Sequence, residues 1–562
     1  MKRRAFAWPA SLLYLAPLSL LLAPAAIAYH VHDNWCDRHD LLVNIDMPSF
    51  TSRGFNETAV DRHHRTAMTW WSDAQATLRF RYNTIENDDS KDDPGNIYTR
   101  CDSEDGYLGG IEGYTDTGRF WHPSCDFFGL NIDEWRTVVR ANRDGRRCGD
   151  AGGWAFDIAG TRASRLPLFL VMAHEYGHAM GLDHSDDPTA LMFEFVGVGM
   201  RLSRDDVAGV RNGLGEGIED RNIYTIGASS QGRGILSFGG SQRLDPHAIS
   251  MPAIAGNGNW RFRPLPVDFD YSLAWITPND DRIATATGSD DVNGNLVLTN
   301  VRTSNEHTQN KLGVATGWQN AIGVAWVARD TDRTVNFMVS LDKGVTWKKT
   351  EITGQQAMGG VHLTFDWNRF RWVMSWVVLG EQQSSAFKIA TLVSDDFTGN
   401  SWPRAASTYG DTVTSPNLAP AITCGRGDHD ACVMFYRSFA TSDIRQVRQQ
   451  AFALSSDARF LNAVNTDAVT TDYAYSDLGA ERMDGTTPNT RGYVLTYVWP
   501  TTADSKMTYR IKYDSDAGGS DTANFIYPRQ TLDTEPFAHS RSGYGVAFNY
   551  RTERLRFVWK WQ

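Results

Sequence analysis

The second half of the chain is built on a repeat that restricts the fold more than any other feature of the sequence. Strand-like segments that end in an aromatic residue recur six times, at intervals of 51, 50, 60, 61 and 51 residues. They occupy residues 273–275, 324–326, 374–376, 434–436, 495–497 and 546–548. A unit of about fifty residues with several strands is typical of a β-propeller blade. A weaker copy over 223–238 adds either a seventh blade or a strand that closes the ring. Residues 219–562 are therefore predicted to form an all-β propeller of six or seven blades.

The first half contains a short motif that indicates metal-dependent chemistry. His174, Glu175, His178, Gly181 and His184 occupy the fixed positions of the zinc-protease pattern HExxHxxGxxH. On a helix, residues four apart share a face, so the first two histidines can address one ion. The glycine lets the chain leave the helix in a left-handed conformation, which brings the third histidine round as a ligand. Three protein ligands leave one coordination position open, which is typical of a single catalytic zinc ion with the glutamate as general base.

The residues after the motif narrow the class of protein. A turn follows the third histidine and ends at Met192, which we interpret as the apolar floor under the zinc, the Met-turn of metzincins. Residues 174–192, followed by 202–210, closely resemble the matrixin family of metzincin endopeptidases. Ser185, directly after the motif, is the matrixin-type choice, and Glu194 stands where other branches carry a tyrosine ligand. The resemblance is sharp over 170–212 and loose over 40–169.

The resemblance implies an α+β fold and a zinc-dependent endopeptidase that acts on proteins or peptides. By likeness to that family, residues 41–45 form the opening strand, 57–71 the first helix and 78–80 the start of the second strand. The substrate is expected to lie extended along an edge strand, which we place at 107–114, and to pair with it through backbone hydrogen bonds.

The sequence also departs from the family pattern. His122 is the single histidine between residues 65 and 173, so the second, structural zinc of matrixins is predicted to be missing. No propeptide with a zinc-binding cysteine fits between the export signal and the first strand. Residues 193–195 lack the proline expected in the wall of the main specificity pocket. Control of activity and substrate preference therefore stay open.

The first 28 residues predict export. Lys2, Arg3 and Arg4 form a basic start, an apolar stretch follows, and residues 26–28 make a small-x-small cleavage site. A membrane anchor would need an apolar run of about twenty residues, and Pro17 and Pro24 interrupt this one. We expect a secreted protein that begins at Tyr29, with a protease domain over 29–218.

Cysteine usage agrees with an oxidising compartment. The chain has six cysteines, four in the first half and two in the second: Cys36, Cys101, Cys125, Cys148, Cys424 and Cys432. An even number in each half predicts two disulfides in the protease domain and one short bridge that closes a loop in the propeller. The pairing among the first four has three solutions. A thiolate metal cluster is the competing interpretation, but the chain has no CxxC pair.

Charge limits the partners. The formal net charge is -11, and removal of the three basic residues of the signal takes the mature chain to -14. Such a surface does not favour nucleic acid or an anionic membrane. The acidic loop over 87–93 is most simply a solvated turn; a structural calcium ion is the alternative, since carboxylates suit it, but no regular ligand spacing is present.

One repeat contains a recognisable turn motif. Residues 340–347 match the Asp-box turn S-x-D-x-G-x-T-W, and 394–402 resemble a second copy with one extra residue. This turn is similar to those between the outer strands of sialidase-like propellers, where its role is structural. The resemblance implies a propeller that binds the substrate, a glycan or another protein.

Two other functions are alternatives to a peptidase. A sialidase-like glycosidase would need clustered arginines with a tyrosine and acids, and no spacing joins the propeller arginines Arg263, Arg333, Arg437 and Arg491. An adhesion protein with an inactive protease domain is disfavoured because all three histidines and Glu175 are present. A peptide and a sialoside, each assayed with and without a chelator, discriminate between the three.

Overall fold

The computed structural model describes the first half of the chain in separate segments and the second half almost continuously. The described ranges before residue 220 are 40–52, 79–85, 96–102, 113–120, 131–140, 154–155, 166–186, 190–193 and 204–213, with scattered positions from 56 to 71 and at 202. After that point they are 222–261 and 267–560 with short gaps. The predicted signal segment, Cys36, His122, Cys125, Cys148 and Glu194 lie outside the described residues, as does the acidic loop 87–93.

A five-stranded sheet organises the first half. Its strands are β1 (Asp40–Asp46), β2 (Arg79–Ile85), β3 (Asn96–Asp102), β4 (Gly113–Phe120) and β5 (Asn131–Arg140). Their spatial order is β2-β1-β3-β5-β4, and β4 alone runs antiparallel to its neighbour. Two short strands, β6 (Trp154–Ala155) and β7 (Leu166–Pro167), pair separately. The strands expected to begin near residues 41 and 78 are thus β1 and β2.

Three helices accompany this sheet: α1 (Met47–Thr51), α2 (Leu168–Ala179) and α3 (Arg204–Gly213). The described positions between 57 and 71 are also helical, where the first helix was expected. The helix α2, which carries the start of the zinc-protease motif, contacts β4 and β5. Val60, Met68 and Trp71, from the helical positions described between 57 and 71, are buried, as are Met172 on α2 and Met180 directly after it. Burial of these side chains fixes α2 against the rest of the domain.

The second half consists of antiparallel four-stranded sheets. Five of them use four consecutive strands each: β11–β14, β15–β18, β19–β22, β23–β26 and β27–β30. Strand bounds are, in chain order, β8 (Asn222–Gly232), β9 (Ile235–Phe238), β10 (Gln242–His247), β11 (Ala253–Gly256), β12 (Tyr271–Ile276), β13 (Arg282–Asp290), β14 (Leu296–His307), β15 (Gly313–Thr316), β16 (Ile322–Val327), β17 (Thr334–Ser340), β18 (Lys348–Gln356), β19 (Val361–Asp366), β20 (Arg371–Val378), β21 (Lys388–Val393), β22 (Ser407–Tyr409), β23 (Ala421–Cys424), β24 (Ala431–Ser438), β25 (Gln446–Leu454), β26 (Phe460–Tyr473), β27 (Gly479–Asp484), β28 (Arg491–Val498), β29 (Met507–Tyr513), β30 (Gln530–Thr531), β31 (Tyr544–Asn549) and β32 (Arg554–Lys560). Short 3-10 helices at Gly258–Arg261, Trp318–Asn320 and Pro488–Thr490 follow three of the inner strands.

The ring is closed by a composite sheet that joins both ends of this region. Its order is β10-β8-β32-β31, so β8 pairs with the last strand of the chain. The inner strands β31, β11, β15, β19, β23 and β27 contact one another in a closed circle. The all-β propeller is confirmed. The expected six or seven blades are corrected to five blades of four consecutive strands plus the composite sheet, which takes the sixth place in the ring. The weak copy at 223–238 supplies the closing strand β8 and not a seventh blade.

The correction has a physical reason in the repeat. Five of the aromatic segments lie on the second strand of a blade, whereas the sixth, 546–548, lies on the innermost strand β31. The weak copy at 223–238 forms β8 and β9, of which β8 closes the ring by pairing with β32. Closure of this kind removes the free sheet edges that an open row of blades would leave.

Both Asp-box turns have a structural role. In the first, the Asp342 carboxylate accepts hydrogen bonds from Thr346 N and Oγ1 at 2.8 and 2.6 Å, and Ser340 Oγ accepts from Gly344 N at 2.7 Å. In the second, Asp396 Oδ1 accepts from Thr398 N at 2.9 Å. The Trp402 ring of this turn packs 5.1 Å from Phe337 of the preceding blade. These turns satisfy their own backbone and bind neighbouring sheets together.

A disulfide joins Cys424 to Cys432. The two residues stand opposite each other on β23 and β24, eight positions apart in sequence. This confirms the short bridge predicted for the propeller. The pairing of the four cysteines in the first half stays a prediction.

Candidate metal centre

The first two histidines of the motif lie one turn apart on α2, and backbone carbonyls hold both rings. His174 Nδ1 is 2.8 Å from Leu191 O, and His178 Nδ1 is 2.7 Å from Leu182 O. Because a carbonyl can only accept, each Nδ1 carries the hydrogen and each Nε2 keeps a free lone pair. A metal-binding histidine usually donates its other ring N–H to such a carbonyl or to a carboxylate, which fixes the orientation of the ring.

Gly181 ends the helix as the spacing predicts. Its φ of 87° lies in the left-handed region, where a side chain is disfavoured. Leu182 N donates to Gly177 O at 3.1 Å and Gly181 N to His178 O at 2.9 Å, which is the Schellman pattern of a helix C-terminus. The chain then turns back, and His184 comes to lie beside the two helical histidines.

The three histidines converge. One ligand atom from each of His174, His178 and His184 lies within 4.8 Å of the others. Nitrogens that share one tetrahedral zinc ion at about 2.1 Å are about 3.4 Å apart. A movement of less than about 1 Å by each nitrogen closes the set, so three imidazoles suit one zinc ion at this place. Across the described residues, no second group of three or more such side chains is found.

Burial disfavours the charged form of the two helical imidazoles. Desolvation, reinforced by the neighbouring His178, lowers the pKa of His174 to about 3, and desolvation also lowers the pKa of His178. A neutral imidazole is the form that binds a metal. Glu175, the next residue on the helix, is only 5% exposed. A carboxylate thus stands beside the histidines in a largely water-excluded position.

Met192 lies under the helix, and Gly177 makes room for it. A Cβ atom at that glycine would be 2.1 Å from Met192 Sδ and 2.6 Å from Trp71 Cζ2. The methionine is buried, and Ser185 N donates to its carbonyl at 2.8 Å, which closes the turn. The Met-turn therefore packs directly against the zinc-motif helix, and one unspecified position of HExxH has to be small.

Asp206 is a supporting residue to which no role was assigned from the sequence. Its carboxylate accepts from Leu191 N at 2.8 Å and Met192 N at 2.9 Å, and it is buried. It thereby fixes the segment whose carbonyl orients His174. Its neighbour Asp205 accepts from Ser185 Oγ at 2.5 Å. The sequence does contain a signal for such a role, because two acidic residues begin a helix shortly after the Met-turn.

The arginines considered for a glycosidase are not gathered into one blade. Arg333 precedes β17, Arg437 lies in β24 and Arg491 begins β28, which belong to three different blades. Arg491 Nε donates to Gly485 O at 2.8 Å, within its own turn. Arg263 lies outside the described residues.

Comparison with known proteins finds a family match within the first half of the chain. The five-stranded sheet and the helix with its three histidines define the metzincin class of α+β domain. The model of the matrixin family matches residues 119–214. The chain contains a matrixin domain fused to a β-propeller.

The curated relatives match over short stretches. Matrix metalloproteinase-27 from Homo sapiens is 49% identical over 63 residues, which are 10% of this chain and 11% of that protein. The 72 kDa type IV collagenase from Gallus gallus is 56% identical over 46 residues, 8% of this chain and 7% of that protein. The matched region therefore spans only about a tenth of the length of these relatives.

Solved structures resemble this chain weakly. The intramolecular trans-sialidase from Ruminococcus gnavus has a TM-score of 0.38 at 10% identity, covering 56% of this chain and 95% of its own. AofleA from Arthrobotrys oligospora has a TM-score of 0.35 at 11% identity, covering 54% and 77%. Likenesses this weak carry no argument about fold or ligand, so the propeller assignment rests on its own strand pairing.

Proposed function

We propose that this protein is a secreted zinc-dependent endopeptidase that hydrolyses peptide bonds in extracellular proteins. One observation carries the proposal. Three histidines from a helix and the turn after it converge, two of them with Nδ1 bound to a carbonyl, and a buried glutamate follows the first. The matrixin match over 119–214 supports the same reaction class.

His174, His178 and His184 would hold one zinc ion through their Nε2 atoms, with Met192 beneath them. When bound, the ion would supply Lewis acidity to the scissile carbonyl and make a water molecule acidic near neutral pH. Structural calcium at the acidic loop 87–93 stays a prediction from the sequence. The described residues contribute no support for it.

Glu175 would act as general base and acid. Its carboxylate would accept a proton from the attacking water and deliver it to the nitrogen of the leaving amine. Exclusion of bulk water from this position strengthens the interaction between the carboxylate and the proton it handles. Leu191 O and Leu182 O would keep the two helical imidazoles oriented while that proton moves.

The substrate would lie against the edge of the sheet. The antiparallel edge strand is β4, Gly113–Phe120, which overlaps the expected 107–114 only at its first two residues. It contacts α2, the helix that carries His174 and His178 and is called the metal helix below. A peptide paired with the outer edge of β4 would therefore run beside the metal helix. Pairing of the substrate with β4 stays a prediction.

The division of labour follows the two folds. Residues 29–218 would perform the hydrolysis, and the propeller, 219–562, would bind the substrate, a glycan or a cell-surface ligand. Residues 1–28 would direct export. No helix among the described residues is long and apolar enough to cross a membrane.

A chelation experiment on the purified full chain tests the proposal. A fluorogenic peptide should be hydrolysed, hydrolysis should stop after metal removal, and added zinc should restore it. A sialoside should stay intact throughout. His184→Ala should abolish peptide hydrolysis, whereas the control His247→Ala, an exposed histidine of the propeller, should not. Peptide hydrolysis that persists without metal, or its absence in the zinc-loaded protein, would reject the proposal.

A further inference from the structure

A buried polar pair lies behind α2, on the side away from the histidine ligands. His64 Nδ1 is 2.8 Å from the hydroxyl of Tyr176. Both side chains have no solvent exposure, and Phe50 packs edge-on against the His64 ring at 5.6 Å. In the described part of the chain, His64 Nε2 has no hydrogen-bond partner. A buried polar atom without a partner costs about 1–3 kcal/mol of folding free energy. Apolar side chains at these two positions would not carry that cost.

Tyr176 lies on the side of α2 opposite the two histidine ligands. Successive residues of an α-helix are rotated by about 100°. Tyr176 therefore points about 180° away from the midpoint between His174 and His178, directly away from the metal. Its hydrogen bond to His64 restrains the rotation of α2 about its own axis, which apolar packing restrains less because it has no direction.

A second polar contact lies at another level of the same interface. Trp71 Nε1 donates to Ala173 O at 2.6 Å. His64 and Trp71 are seven residues apart and share one face of the 57–71 helix. The metal helix is thus fixed at two points, one beside His174 and one in the middle of the motif.

Small rotations matter for this site. The ligand nitrogens are about 6 Å from the helix axis, so a rotation of about 10° moves them by about 1 Å. Metal sites tolerate deviations of only about 0.2 Å in ligand distance. A restraint opposite the ligands therefore bears directly on metal affinity.

We propose that His64 and Tyr176 are positioning residues for the metal centre: their buried hydrogen bond sets the rotation of the metal helix and so the placement of His174, Glu175 and His178. This inference rests on the proposed zinc peptidase function. It assigns the residues no contact with substrate. They act through the helix.

The test compares Tyr176→Phe, His64→Leu, the double variant with both changes, and His64→Asn, whose side-chain amide can replace Nδ1. Each full-length protein is measured for thermal midpoint, zinc affinity by chelator competition, and kcat and KM on a peptide. Both single variants should bind zinc about 10- to 100-fold more weakly and lose kcat with little change in KM. His64→Asn should recover toward wild type.

The double variant separates positioning from packing. It leaves neither member of the pair without the other, so its thermal midpoint should rise above that of the single variants while its zinc affinity stays low. Zinc affinity equal to wild type in the double variant, or in Tyr176→Phe, overturns the proposal. Tyr271→Phe is the matched control, because it removes a buried tyrosine hydroxyl that donates to Asp290 at 3.0 Å in the propeller. It should leave zinc affinity unchanged.

The metal-affinity measurement is independent of turnover. If the wild-type protein binds zinc but hydrolyses no peptide, the proposed peptidase function fails while the positioning inference is still tested. If the wild type is active and the variants bind zinc normally, the inference fails alone.

Discussion

The metal helix and the propeller ring use buried polar groups in different ways. Around α2, single hydrogen bonds join a side chain to one particular backbone atom, as between His174 and Leu191 O. In the propeller, buried ion pairs join elements of the blades, as between Arg556 and Asp290 or Arg482 and Asp514. Loss of a contact in the first region should change the chemistry, and loss of a contact in the second should change stability.

The largest expected effect is on chemistry alone. Glu175→Gln should lower peptide hydrolysis by about 10²- to 10⁴-fold, because an amide cannot accept the proton. Zinc content and thermal midpoint should stay near wild type. The control is Glu481→Gln, a carboxylate on the inner strand β27 of the propeller, which should keep full activity. Substantial turnover by Glu175→Gln would remove this residue from the mechanism.

Removal of a buried cation from the propeller should affect stability alone. Arg556 is buried on β32, pairs with Asp290 and donates to Gly294 O at 2.7 Å, which ties the composite sheet to its neighbouring blade. Arg556→Met leaves a buried carboxylate without that cation and should cost about 3–5 kcal/mol of unfolding free energy. Denaturant titration measures this, and kcat should not change below the transition.

An exposed pair provides the control for that experiment. Lys349 lies 2.6 Å from Glu306, and both side chains are at least 30% exposed. Lys349→Met should therefore cost less than about 1 kcal/mol. Equal losses for Arg556→Met and Lys349→Met would contradict the structural role given to the buried pair.

Acid should weaken the first region through His64. Burial, with a smaller contribution from His63, lowers its pKa from 6.5 to about 3. The unfolded chain takes up a proton below pH 6.5 and the folded chain only near pH 3. Stability is therefore complete above pH 6.5 and falls as the pH drops from 6.5 toward 3, by a few kcal/mol.

The double variant with His64→Leu and Tyr176→Phe isolates this effect. Its unfolding free energy, measured from pH 7 to pH 4, should depend less steeply on pH than that of wild type. Identical slopes for the two proteins would show that His64 does not contribute.

A smaller effect is expected at the Met-turn. Gly177→Ala places a Cβ against Met192 and Trp71 and should cost about 1–3 kcal/mol, partly offset by about 0.5–1 kcal/mol from helix propensity. Zinc affinity should fall as the turn moves. Gly240→Ala is the control, since no atom lies within 4 Å of its added Cβ. If Gly177→Ala binds zinc as wild type does, the packing of the turn is not coupled to the site.

The sequence predicted what depends on local spacing. The motif alone indicated that His174, His178 and His184 would come together, and the repeat alone indicated a propeller. The position of β31 was not predicted, because its aromatic segment has the same pattern as those on second strands. The contacts of Asp206 and of His64 with Tyr176 were not predicted either, since partners 14 to 112 residues apart leave no periodic signal. Tertiary packing alone brings them together.

The central claim is that one zinc ion is held by three histidines of the first half while the propeller contributes no ligand. Anomalous diffraction at the zinc absorption edge from crystals of the zinc-loaded full chain tests it directly. We expect one strong peak about 2.0–2.1 Å from a nitrogen of each of His174, His178 and His184. A peak at another place, or one bound by fewer than these three histidines, would contradict it.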